Sequence, residues 1–105
     1  MDLMYNVVYT ETAINDLNRI LSYLSGYKNL MILTRFKEEI DERLYSIKKF
    51  PKSHSVIFKQ HGYDYRKLII RNYIFVYYID EKNQKIIIFR IFHELEDYQG
   101  RLGVK

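Results

Sequence analysis

The fold is decided by residues 63–92, which read YDYRKLIIRNYIFVYYIDEKNQKIIIFRIF. This stretch contains three runs rich in β-branched and aromatic residues, which cover 63–70, 73–79 and 85–92. Such runs, bounded by polar turn residues, are typical of strands. The connection Arg71-Asn72 predicts a tight turn, because Asn tolerates the left-handed backbone that such turns need. Short connections force neighbouring strands to pair antiparallel, so the stretch predicts a β-meander.

The residues before Pro51 follow a different, mostly helical spacing. A short opening strand is predicted by the alternation at Tyr5, Val7 and Tyr9, and Thr10 or Thr12 can cap the helix after it. The apolar face of this helix is expected at Ile14, Leu17, Ile20, Leu21 and Leu24, and Gly26 is a natural stop.

A second helix is predicted from near Asn29 to the Phe50-Pro51 step, because a residue before proline is steered out of the helical region. Its apolar stripe comprises Leu30, Leu33, Phe36, Ile40, Leu44 and Ile47. A brief edge strand is expected at 56–58. Together these elements predict one α+β domain over residues 1–105: a two-helix hairpin packed on one face of a small antiparallel β-sheet, in the order β-α-α-β-β-β(-β). The opposite sheet face would carry aromatic and basic residues.

Composition excludes several classes of protein. Hydrophobic residues make up 48% of the 105 residues and charged residues 29%, which is globular rather than disordered composition. The absence of cysteine excludes disulfides, thiolate zinc sites and a cysteine nucleophile. No apolar run approaches the roughly 20 residues of a membrane span, and the first residues lack the pattern of a signal peptide. We therefore expect a cytoplasmic protein that does not contact membranes.

The net charge of +4 is concentrated in the second half of the chain. Residues 52–93 contain eight Lys and Arg against three Asp and Glu, which gives +5 for this segment. A positive field of this kind favours a polyanion or an acidic partner segment.

Several short motifs, taken in order, resemble the RelE/ParE superfamily of type II toxin–antitoxin toxins. The similar runs are YNVVYTETA at 5–13 with Asp16-Leu17 and Ile20, Phe50-Pro51, YRKL at 65–68, NYIFVY at 72–77, and IFRIFH at 88–93 with Asp97-Tyr98. The resemblance covers almost the whole chain and implies the same α+β fold.

The resemblance also implies growth inhibition and a cognate antitoxin protein as partner. It leaves three hypotheses open. The first is a ribosome-dependent mRNA endonuclease, which cuts by metal-independent attack of the RNA 2′-hydroxyl and has the ribosome and mRNA as partners. The second is a ParE-like, non-catalytic inhibitor of DNA gyrase. The third is an inactive toxin that retains only antitoxin binding. The basic second half and the histidine that ends the last run favour the endonuclease.

Metal-independent RNA cleavage needs a base, an acid and cations around one phosphate. His93 is the candidate acid or base, because imidazole titrates near about 6.5. Arg66 and Arg90 are the candidate catalytic cations, since a guanidinium fork suits a phosphate. The candidate RNA-binding residues are Lys52, Lys59, Lys67 and Tyr98, the last by stacking on a base. No metal and no small-molecule cofactor are expected.

Structural roles are the alternative for each of these residues. His93 could be a hydrogen-bonded structural histidine, and Arg66 a solvated strand residue. Arg90 lies within an apolar run, so it must reach a partner or an open face. In a regular strand Arg90 and His93 point to opposite faces, unless a bulge intervenes.

Overall fold

A computed structural model describes residues 4–26 and 30–94. Its seven elements are β1 (Asn6–Tyr9), α1 (Glu11–Ser25), α2 (Leu30–Lys49), β2 (Val56–Gln60), β3 (Tyr63–Ile70), β4 (Tyr73–Asp80) and β5 (Lys85–His93). The predicted α+β class and element order are confirmed. Neither described helix is long and apolar enough to span a membrane.

The five strands form one sheet in the order β1-β5-β4-β3-β2. Strands β2 to β5 are an antiparallel meander, as their short connections require. Strand β1 pairs with β5 in parallel, with Tyr9 opposite Ile88, so the sheet is not purely antiparallel. This difference from the prediction arises because the chain returns to β5 through the two helices and three strands, and no short connection constrains the direction of β1.

Both helices pack on one face of the sheet. The core between the layers contains Ala13, Phe36, Ile40, Leu44 and Ile47 from the helices and Leu68, Ile70, Phe75, Tyr77, Ile86, Ile88 and Ile91 from the strands. Two predicted members of the helical stripes are wrong. Ile14 is 45% exposed, because the fully buried residues of α1 are Ala13 and Asp16 instead, and Leu30 at the described start of α2 is 72% exposed.

Two local features differ in detail from the sequence-based prediction. In the Arg71-Asn72 turn, Arg71 rather than Asn72 adopts the left-handed backbone, with φ of 54°. Strand β2 extends beyond the predicted 56–58 to Gln60, because a hairpin turn at His61 and Gly62 returns it into β3. Both turn residues are left-handed, with φ of 54° and 80°, which matches the twist of the flanking strands.

A β-bulge interrupts the pairing of β4 and β5. Val76 pairs with Arg90 and Tyr77 pairs with Ile88, so Phe89 is the extra residue. The bulge therefore precedes Arg90 and does not change its relation to His93. The Arg90 side chain lies over the Phe92 ring on the face away from the helices, whereas His93 faces the helix side. The predicted opposition of these two residues holds.

The edge of β5 continues past the end of β1, and α1 takes over from β1 as its partner. The Thr10 backbone N–H donates to the Ile88 carbonyl at 3.0 Å, and the Thr10 hydroxyl donates to the Phe89 carbonyl at 2.8 Å. The same hydroxyl oxygen accepts from the Ala13 N–H at 3.0 Å, which confirms Thr10 as the helix cap.

Asp16 completes this junction. Its Oδ2 accepts from the Ile91 backbone N–H at 2.9 Å and from Arg90 Nε at 2.8 Å, and its Oδ1 accepts from Arg90 Nη2 at 3.3 Å. Asp16 is 2% exposed and is the only charged side chain in the core of the described residues. A buried carboxylate is tolerated only when it is paired and hydrogen-bonded, as it is here.

Two side chains fasten the connection between α2 and β2 to the sheet. The buried Tyr77 hydroxyl donates to the Pro51 carbonyl at 2.8 Å, and burial raises the pKa of Tyr77 to about 12. Arg66 Nη1 donates to the His54 carbonyl at 2.6 Å and to the Lys52 carbonyl at 3.2 Å. Burial, with smaller effects from the charges of Arg43 and Arg66, lowers the pKa of the His54 imidazole below its usual 6.5.

Replacing Asp16 is expected to destabilise the fold. Asp16→Ala leaves the Ile91 N–H and the Arg90 guanidinium without their acceptor and should lower the free energy of unfolding by roughly 3 kcal/mol. Asp16→Asn keeps one acceptor oxygen and should cost about half as much. Urea unfolding measures both, with Glu38→Gln at an exposed position of α2 as the control. Equal stability of Asp16→Ala and wild type would contradict the assigned role.

The His54 pKa predicts a pH dependence of stability. Because the folded state binds the His54 proton more weakly than the unfolded state, the free energy of unfolding should fall as the pH drops below 6.5. His54→Asn should flatten this dependence, and His61→Asn, in the exposed hairpin turn, should leave it unchanged. Urea unfolding at a series of pH values makes the comparison, and an identical slope in His54→Asn would refute the prediction.

Candidate functional site

His93 lies at the end of β5, on the side of the sheet that carries the helices. It lines an open pocket of about 290 Å³ beside α1, together with Asp16, Arg19, Ile20, Tyr23, Tyr73 and Ile91. The imidazole meets the Tyr73 ring edge-on, with 5.4 Å between the ring centroids. The pocket exists because β1 ends at Tyr9, so that α1 rather than a strand flanks this part of β5.

A second pocket of about 250 Å³ adjoins the first. Tyr23, Tyr73 and His93 line both, and the second is completed by Leu24, Ile32, Phe36, Arg71 and Asn72. We call the two pockets together the hairpin groove, since it runs from α1 across to the start of α2 and the β3–β4 turn. Arg19 and Arg71 contribute the positive charges of its lining.

Arg66 lies elsewhere. It pairs with Tyr77 in the sheet, whereas His93 pairs with Tyr73, four residues away along β4. That offset alone separates the two positions by about 13 Å. Arg66 instead borders a pocket of about 420 Å³ at the other end of the sheet, with Lys52, Asp64, Asp80, Glu81 and Lys82 among its lining. The structure therefore does not bring Arg66 and His93 around one phosphate.

The Arg66 guanidinium also forms hydrogen bonds within the fold. Its Nη1 holds the two carbonyls of the α2–β2 connection, and its Nε is buried without a partner among the described residues. The position therefore has an evident structural role, in addition to the catalytic one that the resemblance implies.

Arg90 is held by the buried Asp16 carboxylate and lies on the face opposite His93. A substrate phosphate would have to compete with that carboxylate. The structure thus places the three predicted catalytic residues at three different locations.

The predicted RNA-binding lysines are dispersed as well. Lys52 pairs with Glu81 at 2.7 Å, which raises the pKa of Lys52, and Lys59 lies 3.8 Å from Asp64. Lys67 sits opposite Val76, on the sheet face away from the helices. Tyr98 lies outside the described residues.

The face away from the helices carries a cluster of aromatic side chains. Tyr65 stacks on Phe58 with ring centroids 4.5 Å apart and meets Phe89 edge-on at 5.2 Å. Tyr78 contacts Tyr63 at 4.5 Å and Tyr65 at 5.0 Å. The predicted aromatic face is thus present, and Lys67 and Arg90 are its basic members. The aromatic rings of this face pack largely against one another.

Two groove residues on α1, Arg19 and Tyr23, were not singled out from the sequence. Arg19 and Tyr23 are three and seven residues after Asp16, so they follow it along one side of the helix. The available signal was Asp16 itself: a carboxylate three residues after Ala13 and four before Ile20 falls within an apolar stripe. A charge in such a stripe needs a partner, although its identity depends on tertiary structure.

The groove could accommodate a ligand, but few side chains in its lining could act as an acid or a base in RNA cleavage. His93 is the one imidazole in the lining, and the one carboxylate there, Asp16, is buried and bonded to Arg90. Among the described residues, no group of three or more His, Asp or Glu side chains is arranged to hold a metal ion.

Comparison with known proteins agrees with the fold. Residues 7–98 match the family model described as the ParE toxin of type II toxin–antitoxin system, parDE. No curated protein matches the chain.

Two solved structures are similar. A chain of the toxin–antitoxin complex RelBE2 from Mycobacterium tuberculosis superposes with a TM-score of 0.59 and 20% identity, covering 86% of this chain and 98% of that one. A chain of the chromosomal ParDE toxin–antitoxin system from P. aeruginosa gives a TM-score of 0.64 and 15% identity, covering 87% and 97%. At these identities the structures support the fold.

The family match spans nearly the whole described domain, and the topology agrees with both structural relatives. This chain therefore belongs to the family of ParE toxins: it is the toxin of a type II toxin–antitoxin system, and its partner is a cognate antitoxin.

Proposed function

We propose that this toxin arrests growth by binding its target protein stoichiometrically, as a ParE-like inhibitor of DNA gyrase, rather than by cutting mRNA. The observation that carries the proposal is the dispersal of the predicted catalytic residues. His93 lies in the hairpin groove, Arg66 borders a different pocket, and Arg90 extends over Phe92 on the other sheet face, where its guanidinium is bound by the Asp16 carboxylate at the sheet edge.

The chemistry of metal-independent cleavage explains why this dispersal matters. Attack of a 2′-hydroxyl on its own phosphate needs a base, an acid and a cation within hydrogen-bond reach of the same few atoms. Charge that develops on the phosphorane is stabilised only by donors already aimed at it. Moving Arg66 or Arg90 to His93 would break their bonds to the chain, which costs stability for each guanidinium moved.

The family match also supports the proposal. The model that residues 7–98 match is that of the ParE toxin, and the resemblance implies gyrase as the target of ParE-like members. A toxin that acts by binding needs a stable surface that contacts its target, and it does not need an acid and a base placed around the same atoms. The arginines that stabilise this fold are compatible with that requirement.

One observation favours the endonuclease as the second candidate. His93 shares its pocket with Arg19 and the two tyrosines Tyr23 and Tyr73, which together offer an imidazole, a cation and two hydroxyl groups. If this toxin cut RNA, the active site would lie in the His93 pocket rather than in the pocket that Arg66 borders.

The variant His93→Gln separates the two functions, because it keeps a polar side chain of similar size and removes the imidazole. A general acid or base contributes about 100-fold or more to cleavage, so an endonuclease would lose its activity. We expect His93→Gln to arrest growth as wild type does. We also expect both proteins to inhibit DNA supercoiling by purified gyrase and to leave ribosome-bound mRNA intact in primer-extension assays.

His61→Asn, a histidine replacement in the exposed β2–β3 turn, is the matched control. Ribosome-dependent mRNA cuts that disappear in His93→Gln but persist in His61→Asn would overturn the proposal and establish the endonuclease. Absence of arrest by wild-type toxin without its antitoxin would overturn both and identify an inactive toxin.

A further inference from the structure

We propose that a group of lysines at one end of the molecule forms a contact surface for the phosphate backbone of double-stranded DNA. We call this surface the lysine end, and it comprises Lys48, Lys49, Lys52, Lys82 and Lys85. The inference rests on the proposed function and deepens it: gyrase holds DNA, so a toxin bound to gyrase can contact that DNA as well as the enzyme.

Two backbone hydrogen bonds beside the start of β1 bring the lysines of α2 and β5 to the same end of the molecule. The Tyr5 N–H donates to the Lys48 carbonyl at 3.3 Å, which places the last turn of α2 next to β1. The Asn6 N–H donates to the Gln84 carbonyl at 3.0 Å, and Asn6 pairs with Lys85 in the sheet. The last turn of α2 and the β4–β5 turn therefore both flank the start of β1.

The other two lysines lie beside the same turn. Lys52, in the α2–β2 connection, pairs with Glu81 at 2.7 Å. Lys82, in the β4–β5 turn, lines the same pocket of about 420 Å³ as Lys52. Asp80 pairs with Lys85 across the two strands that this turn joins. The five lysines thus come from separate elements and are spread across one end of the fold.

The lysine end carries most of the net charge of the chain. Five lysines and two neighbouring carboxylates, Asp80 and Glu81, give a net charge of +3, compared with +4 for the whole sequence. All of these lysines except the half-buried Lys48 are exposed. Such a positive surface attracts a polyanion at long range and gains free energy when the bound phosphates release their counterions.

The type of cation and the adjacent pocket favour contact with the outside of a nucleic acid. A lysine ammonium is a point charge without the planar fork of arginine, and contacts to phosphates carry no direct sequence information. The pocket beside the lysines is lined by three carboxylates, those of Asp64, Asp80 and Glu81. These carboxylates would repel a nucleotide that entered the pocket. The phosphate backbone is therefore expected to lie across the lysines.

The aromatic residues at this end favour a duplex over a single strand. Proteins that bind single strands without sequence preference stack successive bases on aromatic rings. Phe50 is 66% exposed, but Lys49 Nζ lies over the Tyr45 ring, 4.8 Å from its centroid. One accessible ring does not stack a row of bases, whereas the bases of a duplex are already stacked on one another and need no ring.

The test measures binding of the full-length toxin to a short fluorescent DNA duplex of mixed sequence by anisotropy, over a series of salt concentrations. Two double variants remove charge from the two sides of the lysine end: Lys48→Gln with Lys49→Gln, and Lys82→Gln with Lys85→Gln. The matched control is Arg35→Gln with Lys37→Gln, which removes two exposed cations from an earlier part of α2. Circular dichroism checks that each variant is folded.

We expect wild type to bind the duplex with an affinity that falls steeply with salt, with a log–log slope of about −3 to −4 for contact with about four phosphates. Each lysine-end variant should weaken binding about tenfold and reduce this slope by roughly 2, and the control should change both much less. Absence of duplex binding at low salt, an equal effect of the control, or tighter binding of single-stranded RNA than of the duplex would overturn the inference.

A supercoiling assay with purified gyrase connects the surface to the proposed function. We expect the lysine-end variants to require about tenfold more toxin than wild type for the same inhibition. Unchanged inhibition by both variants would overturn the inference.

The anisotropy assay contains no gyrase, so the two proposals fail separately. Inhibition of supercoiling by a wild-type toxin that does not bind the duplex would overturn this inference and leave the proposed function standing. Duplex binding through the lysine end without inhibition of supercoiling would support the DNA surface and contradict the proposed function.

Discussion

The structure depends on one buried carboxylate. Strand β1 ends opposite Ile88, and beyond that point the edge of β5 would expose unpaired backbone groups. Asp16 accepts the Ile91 N–H there, as a neighbouring strand would, and its negative charge is balanced by Arg90 and by Arg19, whose Nη2 lies 3.4 Å from Asp16 Oδ1. Because Asp16 belongs to α1, the same contact fixes the helix hairpin against the sheet.

This contact also determines what the surface can do. It forms one wall of the hairpin groove and shields the only carboxylate there from solvent, so the groove presents cations and apolar side chains to a partner. At the same time, the bonds to Asp16 hold the Arg90 guanidinium in a structural contact. The bonds to the Lys52 and His54 carbonyls do the same for Arg66. The arginines that the resemblance places at a catalytic centre thus also stabilise the fold by joining its elements. A family with one scaffold and more than one activity is compatible with this structural role.

Much of the fold was predictable because it rests on local signals. The predicted β3 has the observed bounds, Thr10 is the helix cap, and Pro51 follows the second helix, as strand composition, capping chemistry and proline sterics require. The parallel pairing of β1, the bulge at Phe89 and the outward position of Ile14 depend on long-range packing and were not predictable. For the candidate site, the sequence indicated His93 but not the α1 residues that share its pocket. Arg19 and Tyr23 reach it only because α1 crosses the end of β5, a relation between residues seventy or more positions apart.

The central claim, that Arg90 serves the fold through Asp16, is tested most directly by a double-mutant cycle. Free energies of unfolding are measured for wild type, Asp16→Ala, Arg90→Ala and the double variant. The account predicts a coupling energy of about 1.5–3 kcal/mol, with the double variant less destabilised than the sum of the single ones. A coupling near zero, together with an Arg90→Ala toxin that folds as stably as wild type yet no longer arrests growth, would contradict it and assign Arg90 to the toxic activity itself.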